Sequence, residues 1–224
     1  MEVAEKIRIG ISIGDINGIG PEVIIKALAD NRVLKHCTPI IYGSTRVLSY
    51  YKKALEIEGF SYSSLKDMEN LNPKTVNVVR CWEEEAAVTV GKPSYEGGTF
   101  ALMALERATE DLQAGHIQAL VTAPINKKYI QSEKFNYHGH TEYFEDKAQA
   151  NGLMLLVHDD IRVGLVTGHI PLSAVAENIS KESVLKKLKI MHKTLKTDFG
   201  ILKPTIAVLG LNPHASDEGL MGNE

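Results

Sequence analysis

Four apolar runs in this sequence end in polar clusters whose residue types bind ions or move protons. Residues 7–13 (IRIGISI) run into Gly14-Asp15-Ile16-Asn17-Gly18-Ile19-Gly20, and 117–122 into Ala123-Pro124-Ile125-Asn126-Lys127. Residues 161–167 run into Gly168-His169-Ile170-Pro171, and 205–211 into Asn212-Pro213-His214. Imidazole nitrogen is a common ligand for borderline divalent cations such as Zn²⁺. His169 and His214, each just past an apolar run, are therefore the candidates to share a metal ion. His36, His116, His158 and His192 lie in or beside helical or strand patterns and read as surface or packing residues. The glycine loop 14–20 precedes a helix start, where free backbone N–H groups can bind an anion. Its spacing matches neither the dinucleotide fingerprint nor a P-loop, so a tight strand-to-helix turn explains it equally well. His138, His140 and Thr141 form a further cluster in YHGHTEYF, opening a helix. The plain reading there is capping by Thr141, with Glu142 in the first turn.

These clusters need a scaffold, and the pattern of the chain supplies one. Runs 7–13, 39–43, 117–122, 161–167 and 204–211 are rich in β-branched residues and mostly continuous, as in strands covered on both faces. Helical stretches lie between them. Pro21 occupies a first-turn position in PEVIIKALAD, where its missing N–H costs nothing. Residues 99–114 carry Phe100, Met103, Ala104, Leu105, Ala108 and Leu112 at helical spacing, stopped by Gly115. Residues 181–197 follow Ser180, a candidate cap. Alternating strands and helices predict an α/β fold on a largely parallel sheet. The first, third, fourth and fifth strands should share that sheet, with their carboxyl ends facing one cleft, where ligands of such folds collect. Residues 61–95 are the least regular and suggest a turn-rich excursion or an antiparallel edge. After the last run only LNPHASDEGLMGNE remains, which predicts that residues 1–224 are the front part of a longer protein with no internal boundary legible.

Composition narrows the function classes. With 44% hydrophobic and 24% charged residues among 224, the chain is neither disordered nor fibrous. Its net charge of -3 argues against nucleic acid, for which a strongly basic balance is usual. Two cysteines, Cys37 and Cys81, make neither a disulfide framework nor a cysteine zinc site. No run approaches the ~20 apolar residues of a membrane span, and MEVAEKIRIG is unlike a signal peptide. A cytoplasmic protein whose partner is a small molecule or another protein is expected.

Taken jointly, GDINGIGPE (14–22), VTAPINK (121–127), GHTEYF (139–144), VTGHIPL (166–172) and LGLNPHASDEG (209–219) resemble the 4-hydroxythreonine-4-phosphate dehydrogenase family of pyridoxal phosphate biosynthesis. The resemblance spans nearly the whole chain in the family's order. It implies an α/β fold like isocitrate and isopropylmalate dehydrogenases, mostly parallel sheet with flanking helices, and a homodimer whose sites draw on both subunits. By the same resemblance His169 and His214 match two of three metal-binding histidines, and His140 and Thr141 match the substrate-binding pair. The metal would be divalent (Zn, Mg, Mn or Co) and the oxidant NAD. Lys127 matches a lysine of the family's segment, without an assigned role. The third metal histidine of the family lies in an HDQG segment that this sequence lacks, as it lacks most of the nicotinamide-binding region. The 224 residues by themselves are thus expected to be inactive.

The implied reaction oxidises 4-phosphooxy-L-threonine to a 3-oxo acid, which decarboxylates to 3-amino-2-oxopropyl phosphate. A sibling dehydrogenase of a phosphorylated sugar acid, erythronate or threonate 4-phosphate, would use the same residues. From other classes come a non-catalytic phosphate- or metal-binding module and a metal-dependent hydrolase. The last lacks a carboxylate placed as base beside both histidines.

Overall fold

The computed structural model describes residues 6–215 together with 218, 220 and 222. The chain divides into two compact units, Met1–Gln149 and Ala150–Glu224. The first is built on five strands, β1 (Ile7–Ser12), β2 (Cys37–Gly43), β3 (Tyr62–Leu65), β4 (Val76–Arg80) and β5 (Ala119–Thr122). They lie in the order β3-β4-β2-β1-β5, and every pairing is parallel. All seven residues of β2 are buried, as expected of a parallel sheet covered on both faces. The sequence pattern anticipated β1, β2 and β5 but not β3 and β4. These two belong to the segment expected to be irregular or antiparallel, and both instead extend the parallel ladder. YSSL and VNVVR carry too many polar residues to read as core strands. Asn77 is fully buried there because Nδ2 donates to the carbonyls of Asn72 and Thr75, and Oδ1 accepts from Asn72 N–H.

Four helices accompany this sheet: α1 (Gly20–Leu28), α2 (Thr45–Ala54), α3 (Tyr95–Gln113) and α4 (His140–Ala148). Pro21 sits in the first turn of α1, and Ile24, Ile25 and Leu28 enter the core. Ser44 caps α2 through the Arg46 N–H, and Ser94 caps α3 through the Gly97 N–H. Helix α3 serves two cores. Phe100, Ala104 and Ala108 join the sheet cluster, while Ala101, Leu102 and Leu105 pack with Ile130, Phe135 and Tyr143 in a second one. A helix apolar around most of its girth is buried on more than one side. It begins four residues before the predicted start. Gly97 and Gly98 disguise that start, since glycine is a poor helix former.

The second unit contains strands β6 (Leu155–His158) and β7 (Ile161–Gly164), paired antiparallel in a hairpin, and helix α5 (Lys181–Thr197). Ser180 and Ser183 make a reciprocal capping box at the start of α5. Arg162 lays its guanidinium 4.5 Å above the Phe199 ring, and Lys187 donates to the Gly152 carbonyl at 2.7 Å. Two expectations are corrected here. The run 161–167 supplies β7, which pairs with β6 rather than joining the parallel sheet. The run 205–211 forms no strand: Val208 and Leu209 are 60% and 89% exposed. A strand exists only where a neighbour takes up its N–H and C=O groups, and among the described residues nothing pairs with this one. β-Branched composition alone does not make a ladder.

Candidate functional site

Strand order locates the candidate site of the first unit. From β1 the chain moves to β2 on one side, whereas β5 adds on the other side of β1. The carboxyl ends of β1 and β5 therefore lie side by side, at the edge of the sheet where open α/β folds bind ligands. The glycine loop after β1 and the Ala123–Lys127 segment after β5 meet there. Asp15 N–H donates to the Pro124 carbonyl at 3.0 Å. Gly14 has φ +69°, and a Cβ on it would overlap the Pro124 oxygen, so both conformation and space require glycine.

The loop is tightly held. Asp15 Oδ1 accepts from the Asn17 N–H at 2.9 Å. Tyr51 Oη donates to the Ile16 carbonyl at 2.8 Å, and burial pushes this phenol up to about 12. Asn17 Oδ1 accepts from Thr89 N–H at 2.7 Å and its Nδ2 donates to Ser94 Oγ at 3.2 Å. The carboxylate of Asp15 comes to the first turn of α3: an added Cβ at Gly97 would lie 2.9 Å from its Oδ1. One turn of loop thus ties β1 to Thr89 and to the start of α3. A built turn is the better description of this loop, and Ser94 is the partner of Asn17 that sequence reasoning missed. Their pairing, 77 positions apart, leaves no local signal.

After β5, Asn126 Oδ1 accepts from Lys128 and Tyr129 N–H, turning the chain toward Ile130 of the second core. That core also anchors α4 through Tyr143, which is 1% exposed. Gly139, not Thr141, is the residue preceding the helix, and it has no side chain to serve as a cap. Thr141 falls at the second helical position, which corrects the capping role read from sequence. His140 opens the helix half-buried, with Nε2 screened from solvent and no hydrogen-bond partner among the described residues. Its ring stacks on Phe144 at 6.3 Å. Burial, and then the charge of Lys127, hold this imidazole below the ordinary histidine range, so near neutral pH it is uncharged. The Lys127 Nζ and the Glu142 carboxylate both border Gly139, 4.0 and 3.7 Å from where a Cβ would stand. The first unit therefore brings His140, Thr141 and Lys127 into one neighbourhood.

His169 and His214 belong to the second unit, and both are exposed. His169 has φ +55°, the left-handed region that histidine tolerates better than most residues. The His214 N–H donates to Asn212 Oδ1 at 3.1 Å, fixing a turn after Pro213. Neutral imidazoles suit a borderline divalent ion. No group of three or more His, Cys, Asp or Glu able to hold one is assembled among the described residues. The imidazole donors of the two histidines are of a type that such an ion accepts. The glycine loop does not fit a dinucleotide, since its spacing is wrong and its turns are closed by backbone contacts. Among the described residues no helix is long and apolar enough to cross a membrane.

Comparison with known proteins bears on the family of the chain. The family model described as pyridoxal phosphate biosynthetic protein PdxA matches residues 35–224. A 4-hydroxythreonine-4-phosphate dehydrogenase of Bacteroides thetaiotaomicron is 50% identical over 222 residues, 98% of this chain and 60% of that protein. An Oceanobacillus iheyensis protein, named provisionally a D-threonate 4-phosphate dehydrogenase, is 34% identical over 99% of the chain and 67% of its own length. The crystal structure of a 4-hydroxythreonine-4-phosphate dehydrogenase from Burkholderia phymatum superposes with a TM-score of 0.82 at 30% identity, covering 97% of this chain and 66% of that one. The fold class implied by the resemblance, α/β with a mostly parallel sheet and flanking helices, is the observed one. The chain spans about 60% of the length of the Bacteroides relative.

Proposed function

Since the chain belongs to the pyridoxal phosphate biosynthetic protein PdxA family, we propose that it contributes the substrate pair and two metal ligands of an NAD-dependent 4-hydroxythreonine-4-phosphate dehydrogenase. The reaction is oxidation of 4-phosphooxy-L-threonine to a 3-oxo acid, which loses CO₂ to give 3-amino-2-oxopropyl phosphate. The observation that carries this reading is the half-buried imidazole of His140, held uncharged beside Lys127 and Thr141 at the start of α4. A neutral imidazole can hydrogen-bond a substrate oxygen without adding charge to it. Thr141 adds a hydroxyl one residue on, and fixing the substrate at two points contributes orientation. His169 and His214 would hold the divalent cation, Zn²⁺, Mg²⁺, Mn²⁺ or Co²⁺. When bound, such an ion supplies Lewis-acid polarisation of the secondary hydroxyl, and NAD supplies the hydride acceptor. A homodimer in the cytoplasm, with sites built from both subunits, belongs to the same proposal.

The test is reduced-cofactor absorbance with NAD, each cation and phosphorylated threonine. The intact gene product is compared with its His169→Ala and His214→Ala variants. Loss of turnover and of metal dependence in both variants is expected. Full turnover in either one would remove that histidine from the site. A second reading, oxidation of a phosphorylated sugar acid such as threonate or erythronate 4-phosphate, is supported by the Oceanobacillus relative's name. Ranking the three substrates by kcat/KM decides between the two.

A further inference from the structure

We propose that Phe144 is a positioning residue at the His140–Thr141 site, holding the imidazole of His140 in one plane by ring stacking. The inference rests on the reading of His140 and Thr141 as the substrate pair and names what keeps that pair in place. His140 and Phe144 are four apart on α4, and side chains at that spacing meet on one helix face. Their ring planes differ by 17° at a centroid distance of 6.3 Å, within the range of offset stacking. The imidazole needs such a support. Rotation of a histidine ring about χ2 is soft, and a hydrogen bond at one ring nitrogen commonly sets it. The Nε2 of His140 makes none among the described residues, so packing takes that part. Phe144 is itself fixed. It packs against the second core, and its ring meets Tyr143 edge-on at 5.4 Å. Tyr143 stacks on Phe135 at 5.6 Å and meets Tyr137 edge-on at 5.5 Å. Tyr137 in turn meets Phe135 at 5.3 Å, and its Oη donates to Asp146 Oδ2 at 2.7 Å. A continuous run of rings thus leads from the core beside α3 to the imidazole, and Phe144 is the link that touches it. Burial is the first cause that keeps His140 uncharged, ahead of the Lys127 charge, and Phe144 is the apolar ring stacked on it.

The experiment takes the intact gene product, follows the ¹⁵N resonances of the His140 ring against pH, and measures NAD reduction with phosphorylated threonine separately. In Phe144→Ala the His140 pKa should rise toward the ordinary value of about 6.5. Its KM should rise about tenfold with kcat within about twofold, because a ring free to turn loses binding that ground and transition states share. Phe144→Tyr keeps the stacked ring and should hold KM within about twofold of the parent. Ile130→Val loosens the same core, so it should lower the thermal midpoint and leave KM and the His140 titration unchanged. In a His140→Gln background, Phe144→Ala should raise KM no further, since the two residues act as one unit. Should Phe144→Ala fail to fold, Phe144→Leu, apolar but without a ring, carries the same comparison. A His140 pKa unmoved by loss of the Phe144 ring, or an equal rise of KM in Ile130→Val, would overturn the positioning role. KM unchanged in Phe144→Ala but raised in His140→Gln would sink Phe144 and leave the substrate pair standing. KM unchanged in His140→Gln would sink the substrate pair instead, while a shifted His140 pKa in Phe144→Ala would still show the imidazole held by that ring.

Discussion

The carboxamide of Asn17 is hydrogen-bonded to the Ser94 hydroxyl at 3.2 Å, joining the glycine loop after β1 to the cap of α3. Ser94 in turn accepts from the Gly97 N–H, and Asn17 Oδ1 accepts from the Thr89 N–H. A single side chain, 3% exposed, therefore positions both the loop and the start of the helix. Asn17→Ala leaves the Thr89 N–H without its acceptor. The expected cost is about 1–3 kcal/mol in urea unfolding. Hydrogen exchange should quicken most at Thr89 and the residues beside it. Unchanged protection there would mean that Asn17 holds nothing.

Gly98 marks where α3 meets the segment that follows Lys127. An added Cβ would overlap the Tyr129 carbonyl oxygen, a backbone atom that no rotamer change can move. Gly98→Ala should lower stability by about 1–3 kcal/mol or more through overpacking. Gly59, with nothing within 4 Å of its Cβ position, is the control. Gly59→Ala should stay within about 0.5 kcal/mol of the parent. Equal thermal midpoints for the two variants would show that the helix can back away without loss.

Buried charge ties the far end of α3 to the sheet. Asp111 Oδ2 accepts from Tyr42 Oη at 2.9 Å and Arg107 Nε at 3.3 Å, while its Oδ1 meets His116 Nδ1 at 2.9 Å. Burial, reinforced by this carboxylate, pushes the Tyr42 phenol far above its usual range. Tyr42→Phe removes one donor, and about 1.5–3 kcal/mol is expected for a bond to a charged group. Asp111→Ala strands a buried hydroxyl and unpairs Arg107, so about 3–5 kcal/mol is expected. Denaturant midpoints should rank parent, Tyr42→Phe, Asp111→Ala. The opposite order would mean that the carboxylate is better removed than kept.

What the sequence made legible follows the range of the interaction involved. Ser180 before α5 and Gly115 after α3, with φ +75°, act within one turn of their helix, and both are read correctly from sequence. The start of α3 was hidden because Gly97 and Gly98 serve contacts with Asp15 and Tyr129, set by tertiary packing. Strands β3 and β4 were hidden because Asn77 reads as a surface residue until Asn72 and Thr75 are seen to satisfy it. Conversely, the run 205–211 has strand composition and no ladder, since composition carries no information about a neighbour. At the candidate site, the roles of His140 and Thr141 are proposed from resemblance. The proximity of Lys127 to Gly139 depends on how β5 and α4 are brought together, which no spacing encodes.

His140 also makes a prediction about pH. Its folded-state value lies below the ordinary histidine value, because burial first and Lys127 second disfavour the imidazolium. Once pH falls below about 6.5, the unfolded chain takes up a proton at this position that the folded chain resists. Stability then rises with pH across the interval between the depressed folded value and about 6.5, and the contribution is complete above it. His140→Gln abolishes this titration, so its unfolding free energy should climb less steeply between pH 5 and 7 than the parent's. Lys127→Gln removes the second cause and leaves burial, so its slope should fall between the two. Urea unfolding at half-unit pH steps supplies the comparison, the other seven histidines being common to all three proteins. Parallel curves would mean that His140 titrates alike in both states, and that burial does not hold it neutral.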